Sequence, residues 1–288
     1  MSLLKRISCP TCNKQNFKRM FSLPYNSEKI VNFLKTYYKN SLNIIELNRY
    51  EYTLLECLNC SLIFQEQIPD EEFSIKLYES IIDQDESLLK KQDFEKNFNK
   101  KLSFEMNLIK NIFNKNSKDI FILEFGAGWG FWSKYAQDNN FNVSAFEVSK
   151  KRIEFMQKNK IQIESNIDNS KYKYDLIYSE ETFEHISDPR DTIIRLSGLL
   201  KNGGYFLLRF PSTFLFKLKL NKKYIPTSDC AHPLEHINLF NKKSFNFMLE
   251  DTDLEIISFK SKFSFSFGSF LRDLKNLIYF DSVLIKKK

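Results

Sequence analysis

The sequence is poor in glycine, proline and histidine. Its 288 residues include 7 Gly, 7 Pro and 3 His. No stretch reaches the roughly 20 consecutive apolar residues that a membrane-spanning helix needs. The N-terminus also lacks an apolar segment long enough for a secretory signal. We therefore expect a cytoplasmic protein without transmembrane segments, whose 5 Cys are not paired in disulfides.

Neither positive nor negative charge is in large excess. The 43 Lys and Arg residues outnumber the 36 Asp and Glu residues to give a net charge of +7, spread along the chain. This balance allows a phosphate-bearing partner but disfavours nucleic acid. A hydrophobic fraction of 42% is enough for a core and excludes a disordered chain. Oligomeric state is left open.

The chain divides into three zones. Residues 1–70 hold four of the five cysteines. Residues 71–115 show apolar residues at helical spacing without Gly or Pro, and we predict a helical connector or lid there. Residues 116–288 alternate strand-like and helix-like segments. That alternation predicts an α/β domain with a mostly parallel sheet and helices on both faces.

The cysteines of the first zone form two C-x-x-C pairs, Cys9 with Cys12 and Cys57 with Cys60. Together they can supply four thiolates for one Zn²⁺, in a small subdomain like a zinc ribbon. Strand-forming residues around the second pair predict a hairpin over 50–65. Because four thiolates leave no coordination position open, we expect zinc to be structural rather than catalytic. A surface for substrate or a partner is the alternative role.

A glycine cluster follows the apolar segment DIFILEF. Gly126, Gly128 and Gly130 permit a tight bend and close approach of a ligand to the backbone. A dinucleotide fingerprint would need a small residue where Phe131 stands. Glu147 ends the next predicted strand, and its carboxylate can accept hydrogen bonds from two vicinal ribose hydroxyls. These features predict a nucleoside site at the carboxyl ends of the strands.

The spacing from Glu124 to Gly130, acidic-x-G-x-G-x-G, resembles motif I of the S-adenosylmethionine-dependent methyltransferases. The segment Tyr174–Pro189 and the later L-K-N-G-G also resemble that superfamily, and the resemblance covers about 116–260. It implies a Rossmann-like fold and S-adenosylmethionine as cofactor. The implied contacts are Glu124, Ser179 and Glu180 at the methionine part, the loop residues Gly126, Ala127, Gly128 and Gly130, Glu147 and Val148 at the ribose, and Asn166 and Ile167 at the adenine.

Cysteine pairs ahead of such a core resemble the zinc-containing sugar methyltransferases. Leu234–Phe245 resembles the segment of those enzymes whose histidine is the proposed general base. Carried over, His236 removes the acceptor proton, Glu235 orients or charges it, and His185 is a second candidate. The chain ends soon after the core, without the extra C-terminal domain of larger members. That difference leaves O-methylation of a hydroxyl at least as favoured as C-methylation.

We therefore predict a methyltransferase for a sugar, nucleotide-sugar or similar hydroxylated small molecule, with a role in polysaccharide biosynthesis. Two alternatives stay open. One is a zinc-containing RNA methyltransferase, which the modest charge and the absence of an N-P-P-Y motif after the fourth strand disfavour. The other is a non-catalytic scaffold in a glycan-assembly complex.

Overall fold

The computed structural model describes residues 1–213, 215–221, 223–260 and 281–288, without the side chains of 94–101 and 259–260. The first zone contains β1 Leu3–Lys5, β2 Phe17–Pro24, α1 Glu28–Tyr37, β3 Glu51–Cys57, β4 Ile63–Gln65 and β5 Gln67–Pro69. The second contains α2 Glu71–Lys76, a π-helical turn at Leu77–Ile81, and α3 Gln84–Phe113. The third contains β6 Phe121–Phe125, α4 Phe131–Asp138, β7 Asn142–Phe146, α5 Lys150–Lys158, β8 Gln162–Ile163, β9 Tyr174–Glu180, α6 Pro189–Ser197, β10 Leu200–Arg209, α7 Phe216–Lys219, β11 Asn238–Leu239, α8 Lys242–Met248, β12 Leu254–Lys260 and β13 Ser282–Lys287.

A seven-stranded sheet forms the centre of the third zone, in the order β12-β13-β10-β9-β6-β7-β8. The five strands from β10 to β8 run parallel, and β13 is antiparallel to both of its neighbours. β6 and β9 are buried almost throughout, as a strand covered by helices on both faces must be. The predicted Rossmann-like sheet is confirmed. The Phe-rich segment 261–280, between β12 and β13, lies outside the described residues.

Zone two is not one continuous helix. Asp70 is the N-cap of α2. The backbone becomes extended at Ile82, and Asp83 then caps α3 by accepting a hydrogen bond from the Glu86 amide. Of the apolar residues that predicted a packing face, Met106 and Ile109 are buried against the sheet with Trp132. Leu102 is partly buried beside them, whereas Phe94 and Phe98 lie outside the described side chains.

The third zone contains two short sequence patterns that are typical of element ends. The pair Asp188-Pro189 is typical of a helix start, and it does begin α6, but the Asp188 side chain makes no cap hydrogen bond. The segment 201–204 (KNGG) is typical of a turn but is a bulge inside β10, whose pairing with β9 jumps from Leu200 to Tyr205. A bulge adds residues to one strand without ending it, so the sequence pattern of a turn is shared by both structures.

The predicted hairpin over 50–65 is confirmed, because β3 and β4 are antiparallel with Leu55 opposite Phe64. It belongs to a second sheet with the order β11-β4-β3-β2. The strand β11 comes from the third zone, so this sheet joins the third zone to the first. The divisions at residues 70 and 115 stay predictions. In the described part of the chain, no helix is both long enough and apolar enough to span a membrane.

Gly130 at the start of α4 packs against α5, and its substitution should cost stability. Its φ is +74°, and an added Cβ would lie 2.6 Å from Met156 Cγ. Gly203 has the same φ with no atom within 4 Å of an added Cβ. Gly203→Ala should therefore cost about 1–2 kcal/mol of backbone strain, and Gly130→Ala about 1–3 kcal/mol more from overpacking. Urea denaturation measures the free energy of unfolding of both variants. Equal losses in Gly130→Ala and Gly203→Ala would contradict the packing role of Gly130.

Candidate active site

A cavity of about 520 Å³ opens at the carboxyl ends of β6, β7 and β9. The glycine loop and Glu147 line one end of it. His185, Glu235 and His236 line the other end. Parallel strands bring the ends of these segments together, which is why ligand sites of open α/β sheets form here.

The loop after β6 presents open backbone at Gly128. Its φ is +57°, no atom lies within 4 Å of an added Cβ, and it lines the cavity together with Gly126 and Ala127. The Gly128 amide donates a 2.7 Å hydrogen bond to Glu147. Gly130 differs from its prediction, because it packs on Met156 and not against the cavity.

Glu147 links the loop after β6 to the loop after β7. Its second carboxylate oxygen accepts hydrogen bonds from the amides of Val148 and Ser149 at 2.9 and 3.0 Å. The Arg152 guanidinium lies 3.8 Å away. Glu147 and Val148 both line the cavity, so the carboxylate that the sequence singled out is fixed at its edge. The oxygen bonded to the Gly128 amide keeps a lone-pair direction for a ligand hydroxyl, whereas the other oxygen already accepts two hydrogen bonds.

Glu124 is buried where β6 ends and also lines the cavity. One of its oxygens accepts hydrogen bonds from the amide and the hydroxyl of Ser133. Burial raises the pKa of Glu124 to about 8, in spite of these two hydrogen bonds. The side chain is therefore largely protonated at neutral pH and can ionise when a cation lies beside it.

The remaining predicted cofactor residues divide into two groups. Asn166 and Ile167 line a second hollow of about 330 Å³, which shares Phe125, Phe146 and Ile186 with the main cavity. Glu180 lines the main cavity, and it accepts a hydrogen bond from the Tyr178 hydroxyl at 3.0 Å.

Ser179 differs from its prediction. It is buried within β9, where its hydroxyl donates a 2.9 Å hydrogen bond to the Phe125 carbonyl, and it does not line the cavity. Neighbouring residues of a strand point to opposite faces of the sheet, which is why Glu180 lines the cavity and Ser179 does not.

The three histidines converge at the other end. The ring centroids of His185 and His236 are 4.9 Å apart, and those of His232 and His236 are 5.6 Å apart. The Nδ1 atom of His236 donates to the Asp229 carbonyl at 2.6 Å, and Nδ1 of His185 to the Glu235 carbonyl at 2.9 Å. A carbonyl only accepts, so Nδ1 carries the proton in both rings and Nε2 keeps a lone pair.

Burial lowers the pKa of all three imidazoles. It brings the pKa of His185 to about 3 and also lowers the pKa values of His232 and His236. These rings are therefore neutral at pH 7, as a group must be if it is to accept a proton. Of the three, His185 and His236 line the cavity.

The Glu235 side chain does not orient His236 as predicted. Its carboxylate accepts a 2.7 Å hydrogen bond from the Tyr38 hydroxyl and lies 3.7 Å from Nε2 of His232. The Asp229 carbonyl orients His236 instead. Burial raises the pKa of Glu235 to about 7, against the opposing effect of the Tyr38 hydrogen bond. No local pattern distinguishes Asp229, because its contribution is a backbone oxygen.

A sequence model of the family described as "Methyltransferase domain" matches residues 96–259, more than half of the chain. The chain belongs to this methyltransferase domain family. Its membership among the S-adenosylmethionine-dependent methyltransferases, predicted from the glycine loop, is thereby confirmed. The closer resemblance to zinc-containing sugar methyltransferases stays a prediction.

Similar proteins include malonyl-[acyl-carrier protein] O-methyltransferase 2 of Ilyobacter polytropus. It is 33% identical over 127 residues, which cover 40% of this chain and 49% of that protein. The chain thus spans about half the length of this curated relative. Magnesium protoporphyrin IX methyltransferase of Synechocystis with bound SAH has a TM-score of 0.48 and 13% identity, over 66% of this chain and 83% of that one. The plantazolicin methyltransferase BpumL with SAH has a TM-score of 0.42 and 15% identity, over 66% and 90%.

The methyltransferase site contains residues that the sequence motifs missed. Tyr37 from α1, Tyr78 from the π-helical turn and Arg152 from the first turn of α5 all line the cavity. The Tyr78 hydroxyl lies 2.9 Å from Nδ1 of His185. Tyr37 and Tyr78 reach the site from zones that carry no methyltransferase motif, so only the tertiary fold could reveal them.

The four N-terminal cysteines of the methyltransferase cluster as predicted. The Sγ atoms of Cys9 and Cys60, and those of Cys12 and Cys57, are 3.5 Å apart, and all four lie within 4.8 Å of one another. Tetrahedral zinc thiolates with Zn–S bonds of about 2.3 Å place their sulfurs about 3.8 Å apart, so the arrangement fits Zn²⁺. The cluster packs in the same core as β6, β9 and β10, and none of the four cysteines lines the cavity.

A second group of potential metal ligands lies at the histidine end of the cavity. It comprises Glu184, His185 and His236, with one ligating atom of each within 4.8 Å of the others. His185 and His236 also carry the two imidazole lone pairs described above, so a metal ion there would compete with a proton for them.

Burial of Glu124 should give the methyltransferase a stabilising contribution that is lost as pH rises from about 5 to about 8. In this window the unfolded carboxyl, with a pKa near 4.5, is ionised while the folded one, with a pKa of about 8, still holds its proton. Glu124→Gln should remove this pH-dependent contribution, whereas Glu154→Gln on the exposed face of α5 should leave it in place. Denaturation at several pH values measures this, and parallel curves for Glu124→Gln and the unmodified protein would contradict it.

Proposed function

We propose that this methyltransferase transfers the methyl group of S-adenosylmethionine to a hydroxyl group of a sugar, nucleotide-sugar or similar small molecule. One observation carries the proposal: a single cavity joins the glycine loop and Glu147 to the neutral imidazoles of His185 and His236. A volume of about 520 Å³ is typical of small-molecule sites. The cavity therefore suits a cofactor together with the reacting part of a small acceptor.

At the cofactor end, Glu147 would accept a hydrogen bond from a ribose hydroxyl at the oxygen that also accepts from the Gly128 amide. Asn166 and Ile167 would flank the adenine, because their hollow adjoins the cavity beyond Phe125 and Phe146. Glu124 and Glu180 would face the methionine part, where a carboxylate attracts the amino group. The bound cofactor supplies a methyl group on a positively charged sulfur.

At the acceptor end, His236 would act as the general base. The acceptor oxygen would form a bond to the methyl carbon as the carbon–sulfur bond breaks, and the hydroxyl proton would pass to Nε2 of His236. S-adenosylhomocysteine and the methyl ether would be the products. The Asp229 carbonyl holds the ring in the tautomer that this step needs. His185 is the second candidate for the same task.

The charge of the cavity lining disfavours RNA as the acceptor. Five glutamates line it, Glu124, Glu147, Glu180, Glu181 and Glu235, against two basic side chains, Arg152 and Lys91. RNA recognition depends on cations that neutralise phosphates. Lys217 from the basic segment 217–223 forms an ion pair with Glu56.

A carboxyl group is the second candidate acceptor, favoured by the malonyl-[acyl-carrier protein] O-methyltransferase relative. A carboxylate has no proton to lose, so this reaction would not need His236. Its product is a methyl ester that mild base hydrolyses, whereas a sugar methyl ether survives the same treatment. A non-catalytic scaffold would bind the cofactor and transfer nothing.

The proposed acceptor chemistry can be tested with methyl-labelled cofactor and a small-molecule extract, analysed by mass spectrometry. We expect a labelled, base-stable product. His236→Ala should retain cofactor affinity by calorimetry and lose about 100-fold or more in transfer rate. His232→Asn, which changes a ring outside the cavity lining, should lose less.

Two outcomes would contradict the proposed function. Full transfer by His236→Ala with a base-labile product would favour the carboxyl acceptor. Folded protein that shows no heat of cofactor binding at millimolar concentration would overturn the cofactor assignment at this site.

We also propose that the cysteine cluster binds one structural Zn²⁺, because its four sulfurs fit a tetrahedral site without an open position. Metal analysis should find about one zinc ion per chain. Cys60→Ser should lose the ion and lower the melting temperature, since the cluster belongs to the core. Cys230→Ser, at a buried cysteine outside the cluster, should retain it. Equal zinc contents in the two variants would contradict this site.

A further inference from the structure

The segment that carries the acceptor-end histidines is attached to the N-terminal zone. β11 pairs with β4, so that Asn238 lies opposite Phe64. At the next position, the backbone amide of Gln65 donates a hydrogen bond to the Ile237 carbonyl at 3.0 Å. The residues directly before β11, including His236, therefore lie beside the end of β4. This end of β4 is only five residues after Cys60 in the sequence.

The side chain of Gln65 forms three hydrogen bonds to this segment. It is fully buried, and its Nε2 atom donates to the carbonyls of His232 and His236 at 2.8 and 3.0 Å. Its Oε1 atom accepts from the Leu234 amide at 3.2 Å. The two carbonyls can only accept and the amide can only donate, so a flipped Gln65 amide would lose all three hydrogen bonds.

Backbone strain at Leu234 shows how firmly the segment is held. Its φ is +71°, a conformation that a leucine adopts only when its surroundings impose it. Gln65 bonds the Leu234 amide and the carbonyls of the residues two before and two after it. The glutamine thus spans the strained turn that places His236 at the cavity.

Two tyrosines of the N-terminal zone hold the same segment. The Tyr52 hydroxyl donates to the Ala231 carbonyl, and the Tyr38 hydroxyl donates to Glu235 at 2.7 Å. Asp229, which fixes the tautomer of His236, lies at the start of the segment. His236 lies near the other end of the segment, so a change in the conformation of the residues between them changes the distance between the Asp229 carbonyl and the His236 ring.

We propose that Gln65 is a positioning residue: it fixes the segment 229–237 so that His236 keeps its Nδ1–H tautomer, with the Nε2 lone pair free. The N-terminal zone would then do more than fold around a metal, since it would set the geometry of the acceptor end. The proposal rests on the proposed function for its catalytic meaning, but the geometry can be measured without an acceptor.

The test uses histidine labelled with ¹⁵N, because the full chain has only 3 His and all three lie in this site. In the unmodified protein at neutral pH, we expect long-range ¹H–¹⁵N spectra to show Nδ1–H tautomers for His185 and His236. Gln65→Met keeps the volume and removes the amide, so it should give a mixed or exchange-broadened tautomer for His236. Gln67→Met is the matched control, because Gln67 bonds the Glu51 amide on β3 and not the histidine segment.

Cofactor affinity separates positioning from general damage. Gln65→Met should bind S-adenosylmethionine within about twofold of the unmodified protein, while labelled methyl transfer falls about tenfold to a hundredfold. If Gln65→Met does not fold, Tyr52→Phe removes one hydrogen bond to the same segment and should shift the His236 signals in the same direction.

Unchanged His236 signals in folded Gln65→Met, or in Tyr52→Phe if Gln65→Met does not fold, would overturn the proposal. A perturbation of His236 by Gln67→Met as large as that by Gln65→Met would overturn it too. A tautomer change in Gln65→Met combined with no methyl transfer by the unmodified protein would support the positioning role and contradict the proposed function.

Discussion

The parallel pairing of β6 with both β7 and β9 is the constraint on which the site depends. Glu124 lies opposite Ala145 on one side and Tyr178 on the other, so the three strands end at one level. The hydrogen bond between the Gly128 amide and Glu147 then joins two of the loops that follow. Without that register, the glycine loop and the Glu147 carboxylate would not line the same cavity.

Burial acts in opposite directions at the two ends of the cavity. It raises the pKa of Glu124 at the end of β6 and lowers the pKa of His185 and His236 at the histidine end of the cavity. Both shifts favour the uncharged form, as a low-dielectric environment requires. An incoming cation would favour ionisation of the acid, whereas the imidazoles are already in the form that accepts a proton.

Residues near one another in the chain could be predicted, and residues brought together by the fold could not. The glycine loop, Glu147 and the cysteine pairs carry their chemistry in short spacings, and the structure places each group as a unit. Gly130 of the glycine loop and Ser179 of the segment Tyr174–Pro189 face the protein interior, since direction depends on the packing of α4 and the pleat of β9. Tyr37, Tyr78 and Asp229 have no motif, because what matters is that the fold brings each of them next to one of the three histidines.

The pairing of β4 with β11 has a consequence for synthesis of the chain on the ribosome. Ile63–Gln65 and Asn238–Leu239 are far apart in sequence, so the second sheet is a contact of high sequence separation. Until residue 239 has emerged, β4 exposes one unpaired edge, a surface that can pair with another nascent chain. The early hairpin around Cys57 and Cys60 therefore has to remain soluble while most of the remaining polypeptide is translated.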